Sequence, residues 1–273
     1  MKVLTLNTHS WLENEPLEKL HQLATQITQE EYALIALQEV NQRIDSLPVV
    51  SPYNFHPSEK QLPIHEDNFA YLLVQLLKEQ GHDYHWSWAY NHIGYSTYHE
   101  GVALLSKQPI HPKTVVVSEE QNPNDYRTRV LLIGQTELAG KPITAVCCHY
   151  SWWLETGGFS YEWKQTEQAL QNHSSPLLLM GDFNNPASVA KTGYDLVLTS
   201  SLQLQDSFLA ADQKVGEHTV EKAIDGWGEN QEKLRIDYIF ASQELSVSSY
   251  QIVFDGKSTP VISDHFGVSA IIQ

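Results

Sequence analysis

The spacing of apolar residues predicts an α/β protein with layered, mixed or largely antiparallel β-sheets. Two observations carry this reading. Runs rich in Val, Ile and Leu alternate with stretches at amphipathic helical spacing, and several of the runs follow one another through turn-like connections only. A doubly wound parallel sheet needs a crossover between strands, so the second observation argues against that class.

In order along the chain, residues 2–7 (Lys2-Val3-Leu4-Thr5-Leu6-Asn7) read as a strand. Residues 16–30 then place Leu17, Leu20, Leu23, Ala24 and Ile27 on one helical face. A strand is expected over 33–38, and a helix over 67–80 from Ala70, Leu73, Leu76 and Leu77. Strands follow at 101–106, 129–136 and 142–149, a weaker helix at 161–172 and a strand at 176–181. A short helix over 192–200 and strands at 234–240 and 266–272 complete the series. Segments 41–66 and 206–233 have no clear period and read as long loops, which in compact domains are often functional. No repeat, low-complexity tract or Gly/Ser linker interrupts the chain, so one domain over residues 1–273 is expected.

Composition narrows the function. Lys and Arg total 17 against 33 acidic residues, a net charge of −16, and no basic run is present. Gripping a phosphate backbone draws most of its affinity from cationic side chains, so nucleic acid is disfavoured and a small, singly or doubly charged substrate fits better. No apolar stretch approaches the roughly 18 residues of a membrane span, and the first residues enter a strand pattern at once, leaving no room for a cleaved leader. Cys147 and Cys148 are neighbours inside a strand and are not expected to bridge each other. The expectation is a cytoplasmic protein with no membrane insertion and no obligate protein partner.

Polar groups gather at the ends of the strands. Leu177-Leu178-Leu179-Met180 runs into Gly181-Asp182-Phe183-Asn184-Asn185-Pro186. In an extended segment Asp182 and Asn184 point the same way and can hold a water and a phosphoryl oxygen together. The pattern recurs at Asn7-Thr8-His9, at Gln38-Glu39, at His149-Tyr150-Ser151-Trp152 and at Ser263-Asp264-His265. Glu100 at the start of one run and Asp237 inside Arg235-Ile236-Asp237-Tyr238 add two more carboxylates. Two unit negative charges ~5 Å apart repel by roughly 3 kcal/mol at an effective dielectric near 20. Convergence of Glu39, Asp182, Asp237 and Asp264 would therefore call for a cation. Hard oxygen donors favour Mg²⁺ or Mn²⁺ over zinc.

These motifs, in this order along the whole chain, resemble the endonuclease/exonuclease/phosphatase superfamily, which includes DNase I, abasic-site nucleases, neutral sphingomyelinases and inositol polyphosphate 5-phosphatases. The resemblance implies a DNase I-like, four-layered α/β sandwich: two packed mixed β-sheets flanked by helices. It also implies a metal-dependent phosphoric ester hydrolase. Glu39 would be the principal metal ligand, with Asn7 and Asp264 on the metal or its waters. Asp182 would deprotonate the attacking water and Asn184 donate to a phosphoryl oxygen. His265 would contact the phosphate, oriented by Asp237, and His149, paired with Glu100, would stabilise or protonate the leaving oxygen.

The superfamily names a bond class and not a substrate. Substrate-selecting residues are expected in long loops dense in aromatics: residues 85–95 ending at Tyr95, Trp152 with Trp153, and Ile224-Asp225-Gly226-Trp227. Their rings suit the C–H face of a sugar, while neighbouring amides and carboxylates such as Asp225 suit its hydroxyls. Arg129, or alternatively Arg127, is a candidate for the phosphate. Within the superfamily the pattern looks most like compact bacterial phosphatases of the maltose 6'-phosphate phosphatase group, whose implied role is in carbohydrate metabolism. His99-Glu100-Gly101 with Ser106-Lys107 keeps a sphingomyelinase-like phosphodiesterase as the alternative, alongside a DNase I-like endonuclease.

Overall fold

Strand alternation decides the architecture. The computed structural model describes every residue except Asp225. In chain order the strands are β1 (Lys2–Asn7), β2 (Leu34–Gln38), β3 (Gln42–Arg43), β4 (His85–Gly94), β5 (Tyr98–Ser106), β6 (His111–Val116) and β7 (Val130–Leu138). They continue with β8 (Lys141–His149), β9 (Leu177–Asp182), β10 (Leu204–Asp206), β11 (Gln213–Val215), β12 (Asp237–Ser242), β13 (Val247–Val253) and β14 (Gly267–Ile272). The helices are α1 (Pro16–Glu30), α2 (Phe69–Glu79), α3 (Gly158–Leu170), α4 (Gly193–Leu198) and the short α5 (Ser207–Ala210).

One sheet runs β11-β13-β14-β1-β2-β5-β3, with β4 also paired to β5; the other runs β10-β12-β9-β8-β7-β6. Both are mixed, because β1 pairs β2 and β8 pairs β9 in parallel while most other neighbours are antiparallel. Alternate residues face opposite ways. Val3, Ala36, Val102 and Leu104 of the first sheet therefore meet Leu132, Ala145, Cys147 and Met180 of the second in a shared core. Leu4, Leu6, Ile35 and Leu37 face outward and are covered by Leu20, Leu23 and Ile27 of α1 and Leu73 and Leu77 of α2. On the far side Val146, Cys148 and Leu179 are covered by Phe159 and Trp163 of α3 and Val197 of α4. The result is the expected four-layered sandwich. Cys147 and Cys148 point into different layers and are free thiols, for the same period-2 reason.

Three longer strands lie outside the runs read from the sequence. Residues 85–94, expected within an aromatic loop, form β4: Trp86 and Trp88 are fully buried against the α1/α2 layer, yet their polar neighbours disguise the strand. Edge strand β6 has an exposed, polar face, and β13 carries a bulge between Val247 and Ser249 that breaks its alternation. β5 also begins earlier than expected, so Glu100 lies inside the strand and not at its start. No helix among the described residues is long and apolar enough to cross a membrane.

Candidate active site

Pairing register assembles the site. Parallel pairing sets Asn7 beside Gln38 and His149 beside Asp182, and antiparallel pairing sets Asp237 beside Asp182. The last residues of β1, β2, β8 and β9 and the first of β12 thus lie at one edge of the sandwich. The segment before β14 brings Asp264 and His265 there: the Ser263 hydroxyl donates to the Asn7 carbonyl at 2.7 Å. Asn184 reaches Asp182 differently from the extended spacing expected. Its backbone is left-handed (φ 50°), so the chain turns; its amide N–H donates to Asp182 Oδ1 at 2.9 Å. Glu39 is left-handed as well (φ 52°). Conformations of this kind typically cost about 1–3 kcal/mol for a residue other than glycine and cluster at functional sites.

Asp182 sits at the centre, nearly fully buried. The Asn7 amide donates to its Oδ2 at 3.2 Å, His149 Nε2 lies 3.6 Å away and His265 Nε2 3.9 Å. Burial and the neighbouring Asp237 push its carboxyl above the usual carboxylate range, opposed by His265 and the amide donors. That is the direction expected of a base working near neutral pH. His265 is tied through Nδ1 to Asp237 at 2.9 Å. Burial alone would lower its pKa, but Asp237 and Asp182 outweigh burial and raise it well above the ordinary histidine value. His149 is held well below that value by burial, with Arg129 adding to the effect, and its buried Nδ1 has no hydrogen-bond partner among the described residues. Two histidines flanking one carboxylate are thus pushed in opposite directions.

Next to this group lies an acidic pocket. Asn7 Nδ2 bridges Glu39 Oε1 at 2.9 Å and Asp182, while its Oδ1 accepts from the His9 amide. His9 Nδ1 contacts Glu13 Oε1 at 2.7 Å and lies 3.8 Å from Asp264. Ligand atoms of His9, Glu13 and Asp264 lie within 4.8 Å of one another, as do those of Asp182, Asp237 and His265. Burial and the Asp264 carboxylate push the Glu39 carboxyl up. Donor chemistry and charge both fit a hard divalent cation: the oxygens are carboxylate and carboxamide, no thiolate is near, and a positive charge would relieve the strain on Glu39.

A cavity of about 410 Å³ opens over Glu39, His149, Asp182, Asn184 and His265, and its lining also includes His92, Tyr95, Glu100, Tyr126, Arg129, Trp152 and Gly226. Its walls bear on four sequence expectations. Glu100 faces His92 (Nε2–Oε1 3.3 Å) and not His149, which turns instead to Asp182. Trp227 is absent from the lining; its indole N–H donates to Asn184 Oδ1 at 2.9 Å and so holds that amide in place. Tyr95 is 52% exposed at the mouth, on the tight β4–β5 turn, where Tyr95 and Ser96 are both left-handed. Arg127 is on the surface in an ion pair with Asp125, whereas Arg129 is 4% exposed, touches Ser151 Oγ at 3.4 Å and has no carboxylate within 4.0 Å among the described residues. Trp152 is half-buried and pressed against Gly226, where a Cβ would come 2.4 Å from the ring. Asp225, also a candidate, lies outside the described residues.

The family model described as Endonuclease/Exonuclease/phosphatase family matches residues 6–265. The chain belongs to this family. A solved endonuclease/exonuclease/phosphatase family protein from Leptotrichia buccalis is 32% identical, with TM-score 0.87 over 100% of this chain and 99% of that one. A mannosyl-6-phosphatase of Bacteroides thetaiotaomicron shares the fold at 15% identity and TM-score 0.68, covering 100% and 99% of the two chains. The catalytic domain of human nocturnin does so at 18% identity and TM-score 0.65, covering 100% and 93%. The search of curated proteins finds no match.

Glu13, His92 and Tyr126 join the site without a role read from the sequence, and His9 gains Glu13 and Asp264 as partners. Tyr126 lines the cavity from the segment before β7. His92 carried a signal that was available, a histidine among strand-like aromatics, but the missed strand β4 hid the direction of its side chain. His9 follows Asn7 by two residues, and only its left-handed backbone (φ 46°) explains how it returns to Glu13 and Asp264.

Proposed function

We propose that this family member is a divalent-metal-dependent phosphomonoesterase acting on a small phosphorylated sugar of the maltose 6'-phosphate type. One observation carries the reading. Arg129 is a buried guanidinium on the cavity wall that contacts no carboxylate within 4.0 Å among the described residues, the buried Glu162 acting on it only from farther away, in a chain of net charge −16. A guanidinium with no carboxylate in contact keeps its planar fork for a ligand, and a small phosphate dianion matches that fork with bidentate geometry. A solved relative in fold, the Bacteroides protein, is named a mannosyl-6-phosphatase, which agrees with the proposal. A cavity of about 410 Å³ matches a small ester in size, and Trp152 and Tyr95 offer faces on which a sugar ring can stack.

In this reading Asp182 takes a proton from the attacking water, and its raised pKa matches that task. The Asn184 amide, fixed by Trp227, and His265, fixed by Asp237, present donors to the phosphoryl oxygens. Their value lies in being held before charge develops. Asn7 keeps Glu39 and Asp182 at a set separation. Glu39 and Asp264, with Asn7 beside them, would hold Mg²⁺ or Mn²⁺, which supplies positive charge to the phosphoryl group. No covalent nucleophile is needed in such a scheme.

The test is a phosphate-release screen across sugar phosphates, nucleotides and inositol phosphates with Mg²⁺, in parallel with plasmid nicking and sphingomyelin cleavage. Metal-dependent release from a sugar phosphate is expected. Nicked plasmid or cleaved sphingomyelin with intact sugar phosphates would transfer the assignment to a phosphodiesterase, and full turnover in excess EDTA would remove the metal.

A further inference from the structure

A second cavity adjoins the first. Its volume is about 430 Å³, and it is built by the segment between β6 and β7, the segment after β8 and the first turns of α3. Trp152 and Tyr126 line both cavities. Ser151, on the second, has its hydroxyl 3.4 Å from the guanidinium of Arg129, on the first. The two spaces are thus neighbours across shared aromatic residues, and each is of the size that holds a small ligand. Thr156 and Glu119, both exposed, leave the second one open to solvent.

The chemistry of the second lining differs from that of the first. It carries the carboxylates of Glu119, Glu120 and Glu162 and one cation, Arg127, which is already paired with Asp125 at 2.6 Å. A phosphate placed there would face those carboxylates, whereas the hydroxyls of a neutral ring can donate to them. Glu162 is 2% exposed, and the Ser151 amide N–H donates to its Oε2 at 2.8 Å. A carboxylate offers about four acceptor positions, so capacity remains for the hydroxyls of a ligand. Gly157 and Gly158, with φ of 78° and 50°, turn the chain into α3 along this wall. A Cβ at Gly158 would come 2.9 Å from the Trp152 carbonyl oxygen, so the turn can lie this close to Trp152 only as glycine.

We propose that the second cavity is the subsite for the unphosphorylated ring of a disaccharide phosphate, with the phosphorylated ring in the catalytic cavity, Trp152 and Tyr126 at the junction and Glu162 accepting from hydroxyls of the outer ring. This rests on the phosphomonoesterase reading of the first cavity and adds the residues that select a disaccharide phosphate over a hexose phosphate. The outer ring takes no part in the chemistry. Its contacts count toward kcat/KM because binding energy from a remote, non-reacting part of a substrate helps to hold the reacting ester in position.

The test compares phosphate release from glucose 6-phosphate with release from maltose 6'-phosphate and trehalose 6-phosphate, which carry the same phosphorylated ring. The expected kcat/KM is about tenfold or more higher for one of the two disaccharide esters. Glucose 6-phosphate turned over as well as both would overturn the subsite and leave the phosphatase reading standing; release from none of the three would defeat the phosphatase reading and the subsite with it. Thr156→Trp puts a large ring on the second cavity, and should lower kcat/KM on the preferred disaccharide ester about tenfold further than on glucose 6-phosphate. An equal fall on both would overturn the proposal. Glu162→Gln keeps an acceptor for the Ser151 amide but loses the charge that strengthens a hydrogen bond. It should raise KM for the disaccharide ester about three- to tenfold more than KM for glucose 6-phosphate; an equal change would remove Glu162 from the subsite. Calorimetric titration with maltose, trehalose and glucose, each with inorganic phosphate present, reads the subsite without turnover. One disaccharide is expected to bind about tenfold more tightly than glucose to wild type and to lose that advantage in Thr156→Trp. Equal affinities in wild type would overturn the proposal.

Discussion

The two walls of the cavity are built on different principles. The wall at β8 and β9 places His149 and Asp182 by backbone pairing, with Asp237 of β12 paired behind Asp182. Slipping any of these strands by one residue would turn its apolar set the wrong way, so the carboxylates are positioned by the same burial that folds the sheets. The rest of the lining draws on the β4–β5 turn for Tyr95, on the segment before β7 for Tyr126 and Arg129, and on the segment after β8 for Trp152. Its groups are placed by side-chain contacts, such as Trp152 on Gly226 and His92 on Thr128. The first wall is suited to a bond class, and the second can change with little effect on the core.

That contrast can be broken from either side. Asp182→Asn should lower kcat by about 10²–10⁴-fold, the range for loss of a general base, with little change in melting temperature; near-normal turnover would remove Asp182 from that role. In the rest of the lining, Arg129→Met should raise KM for a sugar phosphate by about 10–100-fold, since a hydrogen bond to a charged group is worth about 1.5–3 kcal/mol. A KM within twofold of wild type would refute Arg129 as the phosphate receptor. Trp152→Ala removes a stacking face; at about 25 cal/mol per Å² over ~50 Å² it should raise KM for a sugar phosphate roughly eightfold, with less effect on glycerol phosphate. Gly226→Ala should act in the same direction, because its Cβ would displace the Trp152 ring and its φ of 75° disfavours a side chain.

Two pH dependences separate the walls from the core. Asp182 must be ionised to act, and burial with Asp237 raises its pKa, so turnover should rise with pH along a limb above the usual carboxylate range. Increasing Mg²⁺ should move that limb to lower pH, since a nearby cation favours the ionised form. The smallest effect lies in the core. Burial pushes the Cys147 thiol up to about 12, and Cys148 is raised too. The folded state keeps these protons where the unfolded chain releases them, near pH 8.5. Stability should therefore be complete below that pH and decline above it by up to ~1.4 kcal/mol per pH unit for each thiol. Melting curves of wild type and Cys147→Ala between pH 8 and 9.5 would show it as a shallower decline in the variant.

Legibility in the sequence followed burial. β1, β2, β8 and β9 announce themselves as apolar runs because both faces are covered, and Asn7, Glu39, His149 and Asp182 stand where those runs stop. β4 was hidden because Ser87 separates its tryptophans and Asn91 and His92 follow them, although all three polar residues are buried. With β4 unread, the direction of His92 and the partner of Glu100 could not be inferred.

By itself, then, the sequence determined the layered α/β class and the set of polar groups at the strand ends, since period-2 burial and its abrupt ends are local properties of the chain. Only the tertiary structure decided which groups meet: Glu100 with His92, Trp227 with Asn184, and Arg129 with the cavity. Those pairings join residues from separate strands and segments, where register and a few left-handed turns, and not local spacing, set the distance.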